Sequence, residues 1–264
     1  MADATSSERN TLEFGDIVVV GGGCYGSYYV RQLARAAAAD AVRWRRLLVV
    51  DRDPRCLVAR ETPSAMPRHP MPQPRIVSND WGKFFDDWIP LREWTGRDAI
   101  VPSPLMPHLF FEYLQRRALL RWPGRSAVRA ALGADVGTPW ERAAPDGTTY
   151  VSHATWTCPI NCIEPDLCPH TRDIRDWTMP DSLAAWAELR RSAGESLLGP
   201  FTFHCTHRAY GVGMIDKAPI RDADARIEAA GERGPVRAVV ATASHCHGAV
   251  SVLDIGPPIG ATAY

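Results

Sequence analysis

Three cysteines in the second half of the chain are spaced so that they could bind one metal centre. Cys158, Cys162 and Cys168 form a C-x3-C-x5-C pattern, and a proline directly follows the first and the third cysteine. Zinc sites usually present paired C-x2-C turns, whereas irregular spacing beside prolines is tolerated around iron–sulfur clusters. The pattern predicts an iron–sulfur cluster, with zinc as the alternative, and Cys205, Cys246 or a histidine as the fourth ligand.

Two histidine-rich segments could supply acid–base chemistry. H-C-T-H occupies residues 204–207 and H-C-H occupies residues 245–247, both in segments with strand-like composition. On a strand, alternation would direct His245 and His247 to one face and Cys246 to the other. Histidine titrates near neutral pH, and a hydride transfer needs an acid or a base beside the reacting carbon. We therefore predict His245 and His247 as catalytic residues.

A glycine-rich turn near the N-terminus has the spacing of a dinucleotide-binding site. Gly21, Gly23 and Gly26 form G-x-G-x-x-G, in which the glycines allow a tight turn, close approach of a pyrophosphate and close helix packing. Cys24 and Tyr25 open the helix that follows, where free N–H groups and the helix dipole favour an anion. These five residues are predicted to bind the phosphates, although packing is the alternative role of Cys24.

An acidic residue at the end of the next apolar run predicts the type of nucleotide. Asp51 occupies the position at which a carboxylate accepts hydrogen bonds from ribose hydroxyls, which favours NAD over NADP. Arg52 and Arg55 are close enough to bind a 2′-phosphate instead. In open α/β sheets the ligand lies at the carboxyl ends of the strands, so Ser103 and His108 are expected near the nicotinamide end.

The elements that must position these residues alternate in type. The run at 16–20 predicts a strand, a helix follows the glycine turn, and the run at 47–51 predicts the second strand of a βαβ unit. Residues 61–75 are rich in proline and predict a surface loop, with closure over a ligand as the alternative. The run at 98–104 and the segment from Pro107 predict another strand and helix.

The first βαβ unit resembles a known superfamily. GDIVVVGGGCYGSYYVRQLARA together with LLVVDRDP is similar to the NAD-binding Rossmann superfamily, including TrkA-N domains, over about residues 14–54. The resemblance implies the fold and a nucleotide site at Gly21, Gly23, Gly26 and Asp51, but no reaction. The long cysteine-bearing insertion departs from a plain TrkA-N domain, which argues against a role in regulating potassium channels.

The predicted fold class is α/β, a Rossmann-like, doubly wound and mostly parallel sheet with an inserted cysteine-containing cap. Residues 14–120 form the first part of the core, residues 121–200 the cap, and residues 201–258 the last strands. Charged and polar residues of the cap could clamp a substrate or form a solvated surface network; they are Glu164, Asp166, His170, Arg172, Asp173, Arg175 and Asp176.

Composition limits the classes of partner. The 264 residues carry 30 Lys+Arg and 30 Asp+Glu, so no net charge attracts the protein to nucleic acid or to an anionic membrane. No signal peptide or membrane span is evident, which predicts a cytoplasmic protein whose seven cysteines are not a disulfide framework. A small-molecule substrate is the expected partner, and a homo-oligomer remains open.

These patterns together predict an NAD-dependent oxidoreductase that acts on a small molecule and carries a metal on the C-x3-C-x5-C loop. The alternative is a non-catalytic regulatory protein that senses NAD(H), redox state or metal. An enzyme should turn over NADH with a small acceptor, whereas a sensor should bind the nucleotide without turnover.

Overall fold

The chain folds into a mixed α/β structure with two β-sheets. The computed structural model describes residues 11–65, 71–92, 97–158 and 162–258. The helices are α1 (Cys24–Ala38), α2 (Leu57–Ala65), α3 (Trp81–Trp88), α4 (Leu109–Arg121), α5 (Met179–Ser192) and α6 (Lys217–Gly231). The strands are β1 (Leu12–Val20), β2 (Val42–Asp51), β3 (Arg75–Ser78), β4 (Arg97–Val101), β5 (Arg125–Ala130), β6 (Trp140–Ala143), β7 (Thr149–Ser152), β8 (Leu198–His204), β9 (Thr206–Ala209), β10 (Val212–Asp216), β11 (Val236–Ala243) and β12 (His247–Pro258).

The first sheet has the strand order β3-β2-β1-β4-β10-β9. Its first four strands are parallel, with Val18 of β1 opposite both Leu48 of β2 and Ile100 of β4. β10 runs antiparallel to β4, and β9 runs antiparallel to β10. The central strands are continuous apolar runs because both faces of a parallel sheet are buried.

The second sheet has the order β6-β7-β12-β11-β8, and β5 also pairs with β12. Only β8 and β11 are parallel neighbours, and every other pair is antiparallel. The long strand β12 pairs with β11 along one edge and with β5 and β7 along the other. It is therefore the strand around which this sheet is organised.

The sheets and helices stack in five layers. Helix α1 packs on one face of the first sheet. Helices α3, α4 and α6 lie between the two sheets and share one apolar core with both. Helix α5 packs on the outer face of the second sheet. The shared middle layer holds the two sheets together, so a cavity can form where their edges meet.

The segment predicted as a cap contributes strands to the second sheet. Residues 121–200 contain β5, β6, β7, α5 and the start of β8. Of the strands in residues 201–258, β9 and β10 join the first sheet, whereas β11 and β12 belong to the second. β11 and β12 form a hairpin, but the strands that pair with it, β5, β7 and β8, are distant in sequence, which local patterns do not reveal.

Two local predictions also differ from the structure. The start of the predicted loop at 61–75 is helical up to the end of α2, and part of the remainder, 66–70, lies outside the described residues. Residues 244–246 form the turn between β11 and β12 rather than strand. Strand alternation therefore does not orient His245 and Cys246.

No helix in the described part of the chain is both long and apolar enough to cross a bilayer.

Candidate functional site

The glycine turn joins β1 to α1 in a tightly constrained conformation. Gly21 has a φ of +84°, which favours glycine, and its N–H donates to the Val50 carbonyl at 2.9 Å. A Cβ on Gly26 would lie 1.9 Å from the Gly21 carbonyl oxygen, so the helix can approach the turn only without a side chain there. A Cβ on Gly23 would meet nothing within 4 Å. The turn therefore leaves no room for a side chain at Gly26 but leaves open space at Gly23.

Helix α1 begins without a capping side chain. Gly23 is its N-cap residue, and no acidic residue occupies the first turn. The first N–H groups of a helix have no partner within the helix, so an uncapped N-terminus favours an anion. Cys24 and Tyr25 are the first two helical residues, as predicted from the sequence.

Asp51 ends β2 beside the glycine turn. Its carboxylate accepts hydrogen bonds from the Gly22 N–H at 2.7 Å and from the Asp53 N–H at 2.9 Å. It lines a cavity of about 350 Å³ together with Arg52 and Asp80. The Arg52 guanidinium forms an ion pair with Asp80 and lowers the pKa of that carboxyl. Arg52, the residue that follows Asp51, therefore already has an acidic partner.

A second cavity, of about 480 Å³, lies where β4 ends and the two sheets meet. Ser103 comes from the loop after β4, Tyr29 from α1, and Tyr150 and His247 from the second sheet. Met106 lines both this cavity and the one beside Asp51. The two cavities are thus neighbours that share Met106 at the carboxyl edge of the first sheet, and together they are called the crevice.

His247 is held in a defined tautomer at the wall of the 480 Å³ cavity. The Ser152 oxygen lies 2.8 Å from the Ala154 carbonyl oxygen and 2.9 Å from His247 Nδ1, and it accepts the Ala154 N–H at 2.9 Å. We assign the hydroxyl proton to the carbonyl, which makes His247 Nδ1 the donor to Ser152. Nδ1 then carries the proton, and Nε2 of the neutral ring carries the lone pair. Burial lowers the pKa of His247, which keeps the ring neutral at pH 7.

The buried imidazoles make stability dependent on pH. Burial lowers the pKa of five histidines, which are His108, His153, His204, His207 and His247. The unfolded chain therefore binds protons at a higher pH than the folded chain does. The resulting stability is complete above about pH 6.5 and is lost as the pH falls. We expect the Tm to decrease between pH 7.5 and pH 5.5, and less steeply in His247→Gln. Equal slopes of Tm against pH in the two proteins would contradict this explanation.

Glu164 closes the turn between β11 and β12. Its carboxylate accepts hydrogen bonds from the Ser244 hydroxyl at 2.6 Å, the His245 N–H at 2.9 Å and the Cys246 N–H at 3.2 Å. The His245 ring lies beside that of His204, with ring centroids 6.0 Å apart. Of the two predicted catalytic histidines, His247 therefore lines the crevice, whereas His245 belongs to this turn.

The three cysteines of the C-x3-C-x5-C pattern lie in one loop but form no evident metal site. Burial raises the pKa of Cys158, and the neighbouring Cys162 and Cys168 add to that effect. A backbone hydrogen bond from Thr171 lowers the pKa of Cys168. Among the described residues, no three His, Cys, Asp or Glu side chains are arranged to hold a metal ion. The metal stays a prediction, which iron and zinc analysis of the purified protein would test.

Cys205, the predicted fourth ligand, lies in the wall of the 480 Å³ cavity. Burial raises its pKa to about 12, so it is a neutral thiol at physiological pH. Its N–H donates to the Ala243 carbonyl at 2.7 Å, which fixes the connection between β8 and β9 against β11. A packing role explains these features without a metal.

A family model matches most of the second half of the chain. Residues 111–256 match a family model described as "Uncharacterized protein, C-terminal domain" (AF_1314_C). The chain belongs to this family. No curated protein and no solved structure matched the chain significantly. The matched range runs from α4 into β12 and so covers the second sheet, together with β9 and β10; the glycine turn precedes it.

The polar residues expected to clamp a substrate bond mainly within their own loop. Arg175 N–H donates to the Asp166 carbonyl at 2.8 Å, and Cys168 N–H donates to the Asp173 carbonyl at 3.0 Å. The His170 ring stacks on Trp156 with centroids 4.4 Å apart. His108 bonds to the Tyr150 hydroxyl at 3.0 Å and joins the crevice through it.

Several residues of the crevice were not predicted from the sequence. Tyr29 is one helical turn beyond Tyr25, and Trp81 donates its indole N–H to the Val50 carbonyl at 2.8 Å beside Asp51. Tyr150 comes from a strand of the second sheet. A helical-face analysis of α1 could have found Tyr29, but only the pairing of distant strands brings Tyr150 to the site.

Proposed function

We propose that the protein binds NAD in the crevice along the carboxyl edge of the first sheet and is an oxidoreductase for a small molecule. The observation that carries this proposal is the open space at Gly23, where the tightly packed glycine turn meets the uncapped N-terminus of α1. The order β3-β2-β1-β4 supports it, since a doubly wound, Rossmann-like sheet binds nucleotides where its strand order reverses. That reversal lies between β1 and β4, at the crevice.

The residues present fit the pyrophosphate and the adenosine ribose of the nucleotide. The N-terminus of α1 would hold the pyrophosphate, with Gly23 leaving the necessary room. Asp51 would accept hydrogen bonds from the adenosine ribose, since its carboxylate has further lone pairs beyond the two used by backbone N–H groups. Ser103 lies further along the crevice, in the larger cavity.

The charges beside Asp51 favour NAD over NADP. A 2′-phosphate at this end of the crevice would meet the carboxylates of Asp51, Asp80 and Glu112. The two guanidinium groups that line the same cavity already have acidic partners, Arg52 with Asp80 and Arg116 with Asp86. Like-charge repulsion of this kind is a common basis of discrimination between related ligands.

The 480 Å³ cavity favours an enzyme over a sensor. When bound, NAD supplies a hydride acceptor or, as NADH, a hydride donor. His247 presents the unprotonated Nε2 of a neutral ring at the wall of this cavity, where it can take up and return the proton of a substrate hydroxyl. A regulatory protein that only senses NAD(H) would not need a base in the wall of a cavity next to the nucleotide.

Binding and turnover together test the proposal. We expect NAD to bind at least about tenfold more tightly than NADP in a calorimetric titration. Equal or tighter binding of NADP would contradict the assignment of Asp51. Turnover of NADH with a panel of small carbonyl compounds should be lost in His247→Gln while NAD binding is retained. Binding without turnover across the panel would favour the sensor.

A further inference from the structure

A third cavity adjoins the crevice and is lined largely by tyrosines. It has a volume of about 820 Å³, and Tyr25, Tyr28, Tyr29 and Tyr210 lie in its wall. Tyr29 and His207 line both this cavity and the 480 Å³ cavity at the end of β4. None of its described lining residues carries a charged side chain. Cys24 and Tyr25 at the start of α1 also line it, so this tyrosine cavity adjoins the proposed pyrophosphate site, and the nucleotide does not account for the tyrosines further along α1 or for Tyr210.

The rim of the tyrosine cavity exposes apolar side chains. Tyr28 is 40% exposed, Tyr210 is 49% exposed and Ile163 is 53% exposed. Contiguous exposed apolar groups on a protein surface often mark binding sites. Rings that are apolar on their faces and lack neighbouring charges favour a neutral, planar ligand over an ionic one.

Tyr210 occupies a backbone conformation that does not suit tyrosine. Residues 210 and 211 join β9 to β10, with φ of +50° at Tyr210 and +75° at Gly211. Two-residue hairpins of this kind favour Asn or Gly at both positions, because a bulky side chain strains the left-handed region. Because tyrosine is strained at this position, we infer that its ring is needed in the wall of the cavity and not for the turn itself.

His207, one of the residues that line this cavity, has a ring nitrogen that can accept a hydrogen bond. Its Nδ1 lies 3.0 Å from the Gly211 carbonyl, which can only accept, so Nδ1 carries the proton. Nε2 then carries the lone pair of the neutral ring, and burial lowers the pKa of His207, which keeps it so at pH 7. Nε2 makes no hydrogen bond with the part of the chain that the structure describes.

We propose that the tyrosine cavity binds a neutral hydroxyaryl group of the crevice's substrate and that the hydroxyl of this group donates a hydrogen bond to His207 Nε2. The carbonyl or alcohol that exchanges hydride is a separate group of the same molecule and lies in the crevice. That this compound is a substrate rests on the proposed function, but its binding does not depend on NAD. The tyrosine rings contact the aromatic face, and His207 selects a ligand with a hydroxyl. The shared wall at Tyr29 and His207 places this ligand next to the crevice.

Two bicyclic alcohols of similar size provide the probe. We expect 2-naphthol to bind, and decahydro-2-naphthol, which lacks the aromatic face, to bind at least about tenfold more weakly by calorimetry. In Tyr210→Gly the affinity for 2-naphthol should fall about tenfold, while the Tm stays the same or rises because glycine accepts the positive φ. Asp40→Gly is the matched control, since Asp40 also has a positive φ, of +57°, but lies at the end of α1 away from the cavity.

The role of His207 is tested by blocking the hydroxyl. 2-Methoxynaphthalene should bind more weakly than 2-naphthol to the native protein, and His207→Phe should remove that difference. Equal affinities for the aromatic and saturated alcohols, or an unchanged affinity in Tyr210→Gly, would overturn the proposal. NAD affinity measured on the same samples separates the two proposals: NAD binding without 2-naphthol binding rejects only the tyrosine cavity, and the reverse rejects only the nucleotide site.

Discussion

Replacing Gly23 with alanine is expected to lower the affinity for NAD about 100-fold without changing the Tm. A Cβ at this position meets no protein atom within 4 Å, so the folded chain accepts it. The same Cβ would stand where the pyrophosphate must approach the first N–H groups of α1. Calorimetric titration with NAD and thermal unfolding of the two proteins measure both parts of this expectation.

Gly124→Ala is the matched control for Gly23→Ala. Gly124 also has open space around its Cβ position, but it lies between α4 and β5. The alanine there should change neither the NAD affinity nor the Tm. If Gly23→Ala binds NAD as tightly as the native protein, the pyrophosphate does not lie on this turn.

The second large effect is expected from Lys217, whose ammonium group is buried. Lys217 Nζ lies 2.7 Å from Asp98 Oδ2, and the two side chains are 1% and 4% exposed. Asp98 Oδ1 also accepts the Asp16 N–H at 2.8 Å, and Lys217 Nζ lies 4.3 Å from the Trp88 ring centroid. Lys217→Met would leave the Asp98 carboxylate buried without its counter-charge. We expect the free energy of unfolding to fall by about 3–5 kcal/mol, measured by urea denaturation.

Two further variants show whether the unpaired charge is the cause. Lys83→Met removes an exposed lysine and should change stability by less than about 0.5 kcal/mol. Adding Asp98→Asn to Lys217→Met removes the unpaired carboxylate but keeps an oxygen for the Asp16 N–H. The double variant should therefore be more stable than Lys217→Met alone. No recovery would show that packing, not charge, explains the loss.

The first βαβ unit was predictable because its signals are local. An apolar run, a glycine turn, a helical segment and a second apolar run ending at Asp51 follow one another within one short segment. The structure extends the predicted strand at 47–51 back to Val42, where buried Val42 and Trp44 alternate with exposed arginines. The continuous apolar part of the strand, at 47–51, was predicted from the sequence. The part at 42–46 was not, because its buried and exposed residues alternate.

The second sheet was not predictable from local pattern because the strands on either side of its β11–β12 hairpin are distant in sequence. Val252 of β12 lies opposite Val239 of β11 within the hairpin, but opposite Ala130 of β5 on its other side. Short antiparallel strands such as β6 and β7 have weak individual signals and are stabilised mainly by such neighbours. The same segment therefore looked like an irregular cap in the sequence.

The crevice was predicted in part, for the same reason. Gly23 and Asp51 belong to the local unit, and their positions follow from its spacing. His247 was distinguished from His245 only by the turn between β11 and β12, which Glu164 closes from a distant loop. Tyr150 and His207 reach the crevice through strands of different sheets. The sequence indicates which residue types could act at the site. Which of them lie close together depends on how strands distant in sequence pair.

Hydrogen–deuterium exchange with and without saturating NAD tests the nucleotide site most directly. We predict slower exchange in peptides covering the glycine turn and the start of α1 at residues 21–27, and in peptides covering residues 51–53 and 102–107, which contain residues of the crevice wall. Peptides from β5 and β6, on the far strands of the second sheet, should be unaffected. Unchanged exchange at residues 21–27 with NAD bound, or the absence of any NAD binding, would contradict the account.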